Sequence, residues 1–152
     1  MNLKSLIYAA FTILFVTAVS CKDDDAESLE QATQRQIAQT WVVNEVTLTP
    51  SSDYTLPETV TFSFKEDGTF TFSNPTALPE ISTTSGGNDS QDFPGSGTWE
   101  FTGSDFRRIQ LNTTPPLVLQ ITDINNQNIT FTYPGYVNKS EVSVMVKASV
   151  QN

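Results

Sequence analysis

From Trp41 almost to the end of the chain, apolar and polar residues alternate with a period of two, and no other feature constrains the fold as tightly. Successive side chains of an extended strand point to opposite faces, so such alternation marks strands with one buried and one wet face. In residues 58–65, Val60, Phe62 and Phe64 share one face while Thr59, Thr61 and Ser63 take the other. Lys65-Glu66-Asp67-Gly68 then supplies a turn, because Asp-Gly tolerates the positive φ of a tight hairpin. Phe70 and Phe72 continue the inward face in residues 69–73. The same reading gives strands at 41–49, 97–102, 107–112, 117–121, 129–133 and 142–148. Trp99 and Phe101, Ile109 and Leu111, Phe131 and Tyr133 point inward along them.

Eight short strands with frequent turn signals predict an all-β fold, an eight-stranded antiparallel up-and-down barrel or a flattened sandwich. Closure is favoured because it removes the exposed edges of an open sheet. Pro115-Pro116 and Pro134-Gly135 are expected to end strands, and residues 123–128 carry Asn-rich turn chemistry. Before the strands, Leu29, Ala32 and Ile37 form a loose helical stripe, which predicts a short N-terminal helix that caps the domain. The one long connection, residues 74–96, is rich in Pro, Gly, Ser and Thr and reads as either a mobile segment or a lid. Leu78, Ile81 and Phe93 are its three apolar anchors.

The first residues carry a different message. Lys4 precedes an apolar run of 14 residues, Leu6 to Val19, followed by Ser20-Cys21 and Lys22-Asp23-Asp24-Asp25. That is the layout of an export signal, and the run is shorter than the roughly 20 residues of a membrane-spanning helix. Ala18-Val19-Ser20-Cys21 resembles the lipobox of bacterial lipoproteins, which implies cleavage before Cys21 and acylation of its thiol. Cys21 with Lys22, Asp23, Asp24 and Asp25 also resembles the acidic export signal of surface-exposed lipoproteins of the Bacteroidetes. The resemblance implies a membrane partner through the lipid anchor and the outer face of the outer membrane, or otherwise its periplasmic face. The expected organisation is a signal peptide at 1–20, an acidic tether at 21–28 and a barrel domain at 29–152.

Composition narrows the chemistry. Residues 1–20 carry one charged group, Lys4, so cleavage would take the net charge from −9 to −10. Nucleic acid is then a poor partner, since phosphate binding needs clustered Lys and Arg and Arg107-Arg108 is the nearest thing to a cluster. Histidine is absent, which removes the usual general base and the usual neutral metal ligand. Glu66-Asp67 lies on a hairpin tip that nothing dries, and Asp123, Asn125, Asn126 and Asn128 lack the spacing of a calcium loop. No catalytic residue, metal site or cofactor is expected.

Ile37-x-x-x-Trp41, the run Thr61-Phe62-Ser63-Phe64-Lys65-Glu66-Asp67-Gly68-Thr69-Phe70 and Gly97-Thr98-Trp99-Glu100-Phe101 together resemble the lipocalin-like domains of Bacteroidetes lipoproteins. The resemblance implies a barrel around a small hydrophobic or amphipathic ligand, bound without catalysis. Phe62, Phe64, Phe70, Phe72, Trp99, Phe101, Phe131 and Tyr133 are then either the ligand wall or simply core, because a barrel this small can be filled by its own side chains. Trp41 reads as a plug at one end. A second expectation keeps the barrel filled and makes the protein a structural or interaction subunit of an outer-membrane uptake or assembly complex.

Overall fold

The computed structural model describes residues 27–50, 54–83 and 89–151. The expected signal peptide, Cys21 and Lys22 to Asp25 lie outside the described residues. Helix α1 (Leu29–Ile37) is followed by β1 (Thr40–Thr49), β2 (Thr61–Phe64), β3 (Thr69–Phe72), a 3-10 turn (Pro75–Ala77), β4 (Glu80–Ser82) and β5 (Ser90–Gln91). Then come β6 (Ser96–Phe101), β7 (Arg108–Leu111), β8 (Leu117–Ile124), β9 (Asn128–Val137) and β10 (Ser140–Val150). Each strand pairs antiparallel with its neighbour in the order β1-β2-β3-β6-β7-β8-β9-β10, and β10 returns to β1. This is the expected closed eight-stranded barrel.

The period-two pattern becomes the barrel wall. Phe62, Phe64, Phe70, Phe72, Ile109, Leu111, Leu119, Phe131, Val144 and Val146 point inward and are buried. Outward positions carry hydroxyls that pair across strands, Thr61 with Ser73 and Ser63 with Thr71. Two motifs gain a physical reason. Gly68 has φ +78, which the hairpin needs, and a Cβ at Gly97 would lie 2.9 Å from the Phe70 ring, so glycine there makes room for the aromatic on the neighbouring strand.

Hairpins at 65–68, 102–107 and 125–127 lie at one end of the barrel together with α1. That end is closed. Ser28 caps the helix with a capping box to Gln31, and Ile37, its one buried residue, enters the core. Trp41 Nε1 donates to the Ile37 carbonyl at 3.1 Å, and Trp99 Nε1 donates to Lys65 O at 3.1 Å, so both indoles fasten this end.

Two readings are corrected. The connection 74–96 is structured where described: β4 and β5 form a hairpin, and β4 adds itself to the upper half of β9 through Glu80↔Tyr136 and Ile81↔Gly135. Pro134 does not end its strand. Toward β10 the ladder runs on unbroken through Ser143↔Pro134 and Val142↔Gly135. Toward β8 it stops at Gln120↔Thr132, because Pro134 would come next and has no N–H to donate. Proline thus breaks one seam of the barrel, and β4 takes the place that β8 vacates.

Candidate functional site: the plugged mouth of the barrel

The end opposite α1 is formed by the close of β1, the segment between β1 and β2, the insert between β3 and β6, and the β9–β10 turn. In a simple barrel this mouth would open onto the interior. Here Phe93 fills it. Its ring lies 4.8 Å from that of Phe72 on β3 and 5.1 Å from that of Tyr133 on β9, strands on opposite walls. Leu78 and Phe93 are 2 % exposed and Ile81 is 1 % exposed, so all three apolar anchors of the insert are core residues.

Polar bonds hold the plug in register. The Tyr54 hydroxyl donates to Ala77 O at 2.7 Å and the Tyr133 hydroxyl donates to Pro79 O at 3.0 Å. Asn74, held at φ 49, reaches back from the start of the insert to donate to Thr59 O at 3.0 Å. Burial pushes the Tyr133 phenol well above its ordinary value, and the neighbouring Tyr54 adds to this; burial alone raises Tyr54. Both hydroxyls therefore stay neutral donors at physiological pH. Gly135 permits the β4 contact, since a Cβ there would lie 2.2 Å from Val144 Cγ2 and 3.3 Å from Glu80 O.

Inside the mouth, the aromatics named from the sequence meet one another. Phe62 stacks on Phe72 at 4.9 Å and meets Phe131 edge-on at 5.7 Å; Phe64 contacts Phe70 at 6.3 Å and Trp99 at 5.5 Å. Phe131 and Tyr133 lie 6.5 Å apart. Phe101 is only half-buried, at the closed end, where it packs between Trp99 and Phe106. Seven of the eight are core by burial, and their rings touch across the barrel. Such contacts contribute about 0.5–1.5 kcal/mol each beyond area burial, so the interior is stabilised as packed.

The sequence's other polar motifs sit elsewhere and explain themselves locally. Asp67 accepts from the Thr69 amide and hydroxyl, and these bonds hold its carboxyl below the usual range. Asn125 Oδ1 accepts from the amides of Gln127 and Asn128, which makes the Asn-rich stretch a turn. Arg107 and Arg108 are exposed, and Arg108 donates to Gln120 Oε1. Among the described residues, no group of three His, Cys, Asp or Glu side chains is placed to hold a metal ion.

Sequence reasoning grouped Phe93 with a loop and passed over Tyr54. Their signal was faint: each is a single aromatic among polar and turn-forming residues, with no periodic pattern to assign it to the core. No family model and no curated protein matches the chain.

Proposed function

We propose that the chain is a lipid-anchored, non-enzymatic barrel of the outer membrane that works through its outer surfaces, as a structural or interaction subunit of a membrane complex. One observation carries this choice: Phe93 closes the mouth between Phe72 and Tyr133 while the interior aromatics already touch one another. A filled barrel offers a partner its strands, loops and plugged end. The anchor reading rests on Cys21 and on the residues around it, which resemble a lipobox and an acidic surface-export signal. Two acyl chains hold a protein stably at a bilayer, at about 0.8 kcal/mol per buried methylene.

Cross-linking in native membranes followed by purification is expected to recover a stoichiometric partner, and mass spectrometry to find Cys21 as an acylated N-terminus. Recovery of the chain alone, with a co-purifying apolar ligand, would overturn the interaction reading. It would support instead a lipocalin-like carrier of a small hydrophobic or amphipathic molecule. One observation favours that second reading: the mouth is closed by an insert between β3 and β6 and not by the barrel wall, so moving Phe93 would open apolar space without breaking the eight-strand ladder.

A further inference from the structure

Beside the plug, an open groove of about 800 Å³ runs between the insert and the β9–β10 turn. Its apolar side is made by the half-buried Tyr54 and Val137, with Leu78, Pro79 and Tyr136 buried beneath. Its polar side presents Thr76, Glu80, Asn138 and Lys139, all exposed. The volume lies in the range of small-molecule sites, roughly 300–1,000 Å³.

Lys139 supplies an independent sign that this rim is built for something. Val137 pairs with Ser140, so Asn138 and Lys139 form a two-residue hairpin loop, with φ of 51 and 63. Such a loop requires positive φ at both positions; asparagine suits the first, and glycine is the relaxed choice for the second. This chain places a lysine there, and its ammonium makes no hydrogen bond or ion pair among the described residues. Strained backbone that carries an unpartnered charged group at a groove is a feature that functional sites share.

The lining selects among ligands. An anion drawn to Lys139 meets the Glu80 carboxylate, and a cation drawn to Glu80 meets Lys139, so neither simple ion is suited. A lipid tail needs enclosure, which an open groove does not give. A peptide strand needs a free sheet edge of several residues, and the free edge beside the groove is that of β5, which is two residues long. A saccharide matches what remains. Its hydroxyls both donate and accept, as the ammonium, the carboxylate and the Asn138 amide together require. Its C–H face can lie on the half-buried Tyr54 and Val137 while its other face stays in water. Glu80 is already oriented, because it accepts a hydrogen bond from the Ser90 hydroxyl.

We infer that this groove binds a neutral saccharide, held by Lys139 and Glu80 against the Tyr54 and Val137 wall. It rests on the proposed display of the barrel only for where the groove faces; the binding itself needs no membrane. The test is calorimetric titration of the full chain in mild detergent with hexasaccharides of α-glucan, β-glucan, mannan and galactan. At least one should bind saturably, and Lys139→Gly and Glu80→Gln should each weaken it about tenfold, the loss expected for one charge-assisted hydrogen bond. Lys139→Gly should at the same time keep or raise the melting temperature, since it relaxes the turn, which separates lost binding from lost fold. Saturable binding by none of the four, or undiminished binding by Lys139→Gly, would overturn the inference. A membrane partner found without saccharide binding removes this inference and leaves the display reading; saccharide binding by a chain that is never acylated does the reverse.

Discussion

Replacing Phe93 with alanine asks directly whether the insert plugs the barrel. The ring is 2 % exposed and wedged between Phe72 at 4.8 Å and Tyr133 at 5.1 Å. Truncating such a phenylalanine removes its burial and leaves a void that the rigid walls cannot fill, a loss of about 3–5 kcal/mol. A domain of this size holds about 5–15 kcal/mol, so the variant should remain folded and measurable. Urea denaturation of the mature chain should therefore show a large drop in midpoint at nearly constant slope. Phe101→Ala, at the half-buried opposite end, is the control, with an expected loss of about 1–2 kcal/mol. The void should also take up a small apolar probe such as benzene, because an apolar cavity of this kind stays dry. A loss under about 1 kcal/mol for Phe93→Ala would show that the mouth does not depend on the plug.

Gly135→Ala should cost about 1–3 kcal/mol by overpacking against Val144 and the Glu80 carbonyl, and should speed hydrogen exchange at the Glu80 amide as β4 loosens from β9; an unchanged exchange rate would refute the close approach. Alkaline stability should follow the two tyrosines at the mouth. Their folded pKa values are raised above the unfolded value of about 10, so their contribution is complete below about pH 10 and is lost as pH rises through the folded values. Thermal melts between pH 8 and 12 should show this decline, and Tyr133→Phe should flatten it; an equal slope in the variant would refute the assignment.

The parts of the fold that were legible share one cause. Where both neighbours of a strand are barrel strands, inward burial imposes the alternation, as in Val60, Phe62 and Phe64, and the sequence displays it. The hairpin at Gly68 was legible because Asp-Gly tolerates the positive φ that the turn needs, whereas the room that Gly97 leaves for the Phe70 ring shows only in the structure. The insert was not. β4 and β5 are three and two residues long, too short for a periodic signal, and they exist because β9 offers an edge beyond Pro134. Proline was read as a strand end, yet its missing N–H matters on one side only. Lys139 was invisible for the opposite reason: a lone lysine in a turn carries no pattern, and only its positive φ marks it.

If Cys21 is the anchor, chain geometry fixes which end of the barrel a partner meets. Ser28, which caps α1, is the seventh residue after Cys21, and seven extended residues span at most about 25 Å. The α1 end, with the Glu66-Asp67 tip beside it through the Gln34–Glu66 hydrogen bond, must therefore stay near the bilayer. β1 is 10 residues long, about 34 Å of strand, and a tilt near 40° leaves about 25 Å along the barrel axis. Asn138 should then stand about 25 Å farther from the lipid than Asp67. A donor fluorophore on Asp67→Cys in the acylated protein should transfer energy to a headgroup acceptor much more efficiently than one on Asn138→Cys. Equal transfer from both positions would mean that the barrel lies on its side, and that the plugged mouth and its groove are not the surface held out to partners.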